Sequence, residues 1–241
     1  MYIDSTRLTQ LRDEHALLVY LHPQRTGGTR LKKALFDIFG RGRVYAERVV
    51  GASKFADWSV VTAADLQGFA AYAGHSDYVS RNLPRITVII GTIRHPFYRM
   101  LSYHEYCKTK ENHQFQQLAL QNGFIDFVRK GAKVSQKYFC NLQCRRFCRR
   151  PNAKAAIDTI VNDYAAVVPM ERLSDFATLL AGVTAGNTGN NSVRVEAIAS
   201  DPDRYGPALR DDERFVEVMK WDSDDMALYD WVVSRKEMTL L

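Results

Sequence analysis

Two stretches of this chain carry residue types suited to holding an anion. The first is His22-Pro23-Gln24-Arg25-Thr26-Gly27-Gly28-Thr29-Arg30. It sets two arginines, two glycines and two threonines between an apolar run and an amphipathic segment. Glycine lets backbone approach a ligand closely. The amides of Thr26 to Thr29 open a predicted helix, where unpaired N–H groups and the helix dipole favour negative charge. In the second stretch, Arg94 leaves a β-branched run and Ser102 lies about two helical turns beyond it. A guanidinium and a hydroxyl can grip one phosphate through charge-assisted bonds. Each stretch also has a plainer reading. The first could be an ordinary strand-to-helix turn, and Arg94 could pair with a surface carboxylate. The first stretch is not a Walker A loop, because no Lys follows the glycines and the spacing differs. The six histidines, His15, His22, His75, His95, His104 and His113, supply candidate bases near neutrality. Composition does not rank them.

The elements that must position these groups follow from periodicity. Ala16 to Leu21 reads as a short buried strand, and Leu31, Ala34, Leu35, Ile38 and Phe39 fall on one helical face. Ala63 to Phe69 is expected as a short helix, and Phe69 to His75 as a strand ending at Gly74-His75. Ile86 to Ile93 is a continuous β-branched run, the mark of a central strand buried on both faces. Pro96 suits the first turn of the helix that follows. A further short helix is expected over Phe124 to Val128, a helix over Ala155 to Val161, a strand over Tyr164 to Val168 and a helix over Ser174 to Leu180. The tail, with Phe215, Val218, Met219, Leu228, Tyr229 and Trp231, reads as two closing helices. Strands alternating with helices predict an α/β fold: a three-layer sandwich around a central parallel sheet. Ligands in such folds sit beyond the carboxyl ends of the strands, where Arg25, His75 and Arg94 are expected to converge.

Length and composition set outer bounds. One domain spanning 1–241 is expected, and 46% hydrophobic with 25% charged residues is ordinary for a globular protein. A formal net charge of +6 favours an anionic ligand without choosing among nucleotide, acidic glycan and nucleic acid. No apolar stretch is long enough to span a bilayer, and the polar stretch from Met1 to Glu14 is not a secretory signal. A cytoplasmic location with no membrane anchor is therefore expected, unless an anchor has been trimmed. Cys140, Cys144 and Cys148 recur every four residues, unlike the common zinc-knuckle spacing, so reduced thiols and no metal site are expected. Arg145, Arg146, Arg149 and Arg150 form the most basic stretch, read either as a solvated helix face or as contact with an anionic acceptor.

The first stretch resembles the 5′-phosphosulfate loop of the carbohydrate sulfotransferases, roughly His-Ile-Pro-Lys-Thr-Gly-Gly-Thr/Ser. His22, Thr26, Gly27, Gly28 and Thr29 match it, while Pro23 comes one residue early and Arg25 stands for the usual Lys. The second resembles the family's 3′-phosphate motif, roughly Arg-Asp-Pro-x-x-Arg-x-x-Ser-x-Tyr. Arg94, Pro96, Arg99, Ser102 and Tyr103 match, though His95 replaces the Asp and Tyr103 follows Ser102 directly instead of one residue further on. Gly74-His75-Ser76-Asp77-Tyr78 is similar to the Gly-His-x-x-Tyr/Phe block that carries the base in the 2-O-sulfotransferase branch. Weaker likenesses lie at Asn141 to Phe147, at Glu171-Arg172, at Ser192-Val193-Arg194 and over Asp225 to Tyr229.

This resemblance implies a P-loop-like sulfotransferase fold and 3′-phosphoadenosine 5′-phosphosulfate (PAPS) as donor. Its sulfuryl group would pass to a hydroxyl acceptor, a carbohydrate in this branch. It implies His75 as base, with Asp77 a guess for its orienter, and His22 as structural. Arg25 is implied to stabilise the charge that develops on the bridging oxygen. Arg25, Thr26, Gly27, Gly28, Thr29, Arg30, Arg94, Ser102 and Arg194 are implied to hold the nucleotide. Two other classes stay open. A nucleotide-dependent phosphotransferase would need a P-loop Lys and a carboxylate for Mg²⁺, and the sequence offers neither clearly. A non-enzymatic nucleic-acid binder would fit the charge, but no nucleic-acid motif is present and no nucleic-acid partner is expected.

Overall fold

In the computed structural model, residues 1–46, 49–50, 53–54, 58–188 and 212–235 are described. The architecture is α/β, with a six-stranded sheet flanked by helices. The strands are β1 (Tyr2–Ile3), β2 (Leu17–Leu21), β3 (Val44–Ala46), β4 (Ala71–Gly74), β5 (Thr87–Ile93) and β6 (Tyr164–Pro169). Their order across the sheet is β1-β6-β5-β2-β4-β3. Pairs among β2 to β6 are parallel, whereas β1 runs antiparallel to β6. The sheet is thus mixed and not wholly parallel as expected. Two residues of β1 carry no readable period, and an edge strand at the chain start needs no crossover to pair antiparallel.

β2 lies at the centre, and every one of its residues is buried. Its alternation divides the core. Leu18 and Tyr20 face a cluster with α1 (Ser5–Thr9), α2 (Gly28–Phe39) and α9 (Leu173–Thr188). Leu31, Ala34, Leu35 and Ile38 form the buried stripe of α2, at the spacing the sequence predicts. Leu17, Val19 and Leu21 face the other cluster, with α7 (Leu142–Cys148), α8 (Ala153–Asp163) and the end of α10 (Glu213–Ser234). A third, aromatic-rich cluster joins α3 (Pro96–Thr109), α4 (Gln116–Gln121), α5 (Phe124–Val134) and α6 (Gln136–Phe139) to the start of α10.

Several boundaries differ from the sequence reading. Residues 63–68 form turns instead of a helix. Thr62 and Asp65 bond each other's backbone amides there, and Gly68 adopts φ 81°. The reciprocal Thr62–Asp65 bonds open a helical turn, and the left-handed Gly68 ends it before a helix is established. The tail, α10, is two helices that meet at a kink at Asp222, where φ/ψ leave the helical region, in keeping with the two closing helices expected. Among the described residues, no helix is long and apolar enough to cross a membrane.

Candidate functional site

The sheet reverses its winding around β2, since the chain goes from β2 to one flank and later returns to the other. Such a point leaves a crevice at the carboxyl ends of the strands. A cavity of about 580 Å³ lies there. Arg25, Gly27, Gly28, Thr29 and Arg30 line it after β2, His75 after β4, Arg94 and Ser102 after β5, and Met170 after β6. Residues from two sequence motifs and from a third strand end therefore share one cavity.

The β2–α2 turn is shaped by backbone. Arg25 has φ 69° and Gly27 has φ 94°. A Cβ on Gly27 would overlap Leu173, and one on Gly28 would overlap the Nε2 edge of the His22 ring. Gly27 is the N-cap of α2 and offers no side-chain cap. The first amides of α2 consequently meet the cavity with no side-chain acceptor from the cap position, which suits an anion.

Thr26 points the other way. It is fully buried, and its hydroxyl donates to the Pro23 carbonyl at 2.8 Å. It also lies 3.0 Å from the Thr92 hydroxyl, which lies 3.0 Å from that of Tyr20. This hydroxyl chain ties the turn to β5. The Thr26 side chain therefore holds the loop and does not line the cavity. Arg194 lies outside the described residues.

The two expected cationic grips prove to be one continuous patch. Arg25 Nε donates to Ser102 Oγ at 3.0 Å, and its guanidinium stands 4.9 Å over the Tyr106 ring. Arg94 Nη1 donates to the Arg25 carbonyl at 3.3 Å. No carboxylate lines the cavity among the described residues. The wall also includes Tyr103 of the second motif and His113, one of the six candidate histidines, together with Gln24, Tyr106, Gln114 and Tyr138, which sequence reading did not single out. Tyr106 had a signal, since it lies one turn beyond Ser102 on the same face of α3. His113, Gln114 and Tyr138 reach the wall only through tertiary packing.

His75 stands at the cavity mouth, open to solvent on one side and packed on the other against His22, whose ring centre is 4.2 Å away. Its Nδ1 is 3.3 Å from the His22 carbonyl. A carbonyl only accepts, so Nδ1 carries the proton and Nε2 keeps its lone pair. Desolvation by the adjoining turn pushes the His75 pKa down to about 4 against the pull of that carbonyl, and the charges of Arg146, Lys32 and Arg25 act the same way as burial. The imidazole is therefore neutral at pH 7 and able to take a proton. His22 is buried between Tyr20, stacked at 4.4 Å, and His75, tilted at 4.2 Å. Burial, with His75 and nearby cations, drives its pKa well below the usual range. Its role is to carry the turn.

Asp77 does not orient His75. It pairs with the buried guanidinium of Arg146, whose Nη2 also donates to Gln24 Oε1 at 3.3 Å. Arg146 thus leaves the solvated face that one reading of the basic stretch gave it. Cys107, Cys140, Cys144 and Cys148 are unpaired thiols, and among the described residues no His, Cys, Asp and Glu cluster could hold a metal.

A second cavity, of about 590 Å³, opens at the opposite end of the sheet beside Phe69, Pro84 and Arg85. The Arg85 guanidinium is engaged there by the carbonyls of His15, Ala16 and Phe69, at 2.7, 2.9 and 3.0 Å. That arginine fastens the starts of the strands together. Comparison with models of known protein families gives no match, and no curated protein matches the chain.

Proposed function

We propose that the chain is a sulfotransferase that moves the sulfuryl group of PAPS to a hydroxyl acceptor, of the carbohydrate class. One observation carries this reading: Arg25, Arg94 and His75, from three strand ends, line a single cavity without a carboxylate. The residues fit the donor. Cations and uncapped amides suit its phosphate and sulfate groups, the glycines admit close backbone approach, and the volume suits a nucleotide-sized ligand.

PAPS would supply a sulfuryl group on a nucleotide phosphate that leaves as adenosine 3′,5′-bisphosphate. The chain's own groups divide the remaining work. Nε2 of His75 takes the proton of the attacking hydroxyl. Arg25 and the first amides of α2 stabilise the negative charge growing on the bridging oxygen. Arg94 and Ser102 hold the 3′-phosphate, so attack on a fixed donor is nearly unimolecular. Arg25 stays protonated throughout, so it contributes charge and not a proton.

A phosphotransferase would need a lysine in the loop and a metal-holding carboxylate, and the cavity wall offers neither among the described residues. The test is a thermal shift with adenosine 3′,5′-bisphosphate, ATP and AMP, followed by assay of sulfuryl transfer to sugar hydroxyls. Selective stabilisation by the bisphosphate is expected. Equal stabilisation by ATP would remove the donor assignment, and binding to nucleic acid without nucleotide preference would favour the non-enzymatic class.

A further inference from the structure

β5 ends at Ile93, and the next residue, Arg94, leaves the sheet. Pairing with β2 stops at Leu21 opposite Gly91, and pairing with β6 stops at Pro169 opposite Ile93. Beyond these last pairs, a side chain meets the backbone of Arg94. Gln143 Oε1 accepts the Arg94 N–H at 2.9 Å, and Gln143 Nε2 donates to the Arg94 carbonyl at 2.9 Å. A carboxamide has donor and acceptor side by side, so it can imitate one more strand residue.

Gln143 is completely buried and is itself held at both ends. Its own N–H donates to Asp225 Oδ2 at 2.9 Å, and the N–H of Cys144 donates to Oδ1 at 2.8 Å. One turn earlier on α10, Asp222 accepts from the Asn141 N–H at 2.7 Å. Burying an amide is costly unless each polar group is satisfied. Here both groups are spent on Arg94, which lines the cavity and whose guanidinium reaches the Arg25 carbonyl.

We propose that Gln143 is a positioning residue for anion binding: its buried carboxamide sets the direction in which Arg94 leaves β5. The proposal rests on the nucleotide-binding reading of the cavity. The α10 aspartates anchor the start of α7, and the start of α7 aims Arg94.

The test is calorimetric titration of adenosine 3′,5′-bisphosphate into the wild type, Gln143→Met, Arg94→Ala and the double variant. Gln143→Met keeps the size of the side chain and removes both bonds. It is expected to weaken binding roughly tenfold or more, as the loss of two buried hydrogen bonds implies. In the Arg94→Ala background the same change is expected to have little further effect, since its target is gone. Unchanged affinity in Gln143→Met, or equal loss in both backgrounds, would overturn the proposal. Arg94→Ala with wild-type affinity would instead remove the cavity reading, and the proposal with it. Amide exchange of the wild type covers the case in which Gln143→Met fails to fold. The Arg94 amide is expected to be protected like the amides of β5, and exchange at an open-loop rate would overturn the proposal.

Discussion

At the residue scale the decisive groups are His75, Arg94 and Gly28. His75→Ala is expected to lower sulfuryl transfer by about 10²-fold or more while bisphosphate affinity holds. Near-normal turnover in an activity assay would show that another group is the base. The depressed pKa of His75 also fixes a pH signature. In the free protein, desolvation and neighbouring cations hold it near 4, so the acid limb of kcat/KM should fall well below the ordinary histidine range. A bound anionic donor opposes those cations and raises the pKa. The acid limb of kcat is therefore expected at higher pH than that of kcat/KM, which paired pH profiles would reveal. Gly28→Ala places a methyl over the Nε2 edge of the His22 ring, so the turn must move. The expected result is lost bisphosphate binding in a protein that still folds, read by titration beside circular dichroism. The sequence offered close approach to a ligand, or a plain turn, as the reason for glycine at position 28; the packing of His22 against it appears only in the folded turn.

At the element scale, the starts of α2 and α7 are served in opposite ways. α2 begins at Gly28 after an N-cap, Gly27, that offers no side-chain acceptor, and its first residues line the cavity. α7 is capped from a distance, because Asp225 of α10 gives one carboxylate oxygen to each of two α7 amides. Replacing Asp225 with Ala leaves those amides unpaired inside the protein. The expected cost is about 2–3 kcal/mol of stability. Urea unfolding would measure it, and bisphosphate affinity should fall as well, because α7 carries Gln143. The amphipathic stripe of α2 and the β-branched run of β5 were legible because their patterns are local. The division of the tail into two helices was expected, but the place and cause of the break, at Asp222, were not legible. Asp222 leaves helical geometry where its carboxylate meets the buried Arg99 guanidinium at 2.9 Å and the Asn141 amide, and both partners are distant in sequence.

Across the whole molecule the sheet has two unlike ends. The carboxyl ends of β2, β4, β5 and β6 surround the proposed nucleotide site, while Arg85 at the other end binds three carbonyls that join the starts of the strands. Arg85→Ala is accordingly expected to cost about 1–3 kcal/mol, seen as a lower melting temperature, with bisphosphate affinity unchanged. A matched loss of affinity would contradict this separation of the two ends. The sequence by itself determined the buried strands, the amphipathic face of α2 and the strand-to-helix turns bearing Arg25 and Arg94, because periodicity, glycine and charge act over a few neighbouring residues. Only the tertiary structure decided that β1 runs antiparallel, that Thr26 turns inward, that Asp77 serves Arg146, and that the two cationic turns merge into one patch. Those outcomes depend on which strands become neighbours around β2. That order is set by the burial of both sheet faces together, and no local stretch of the chain records it.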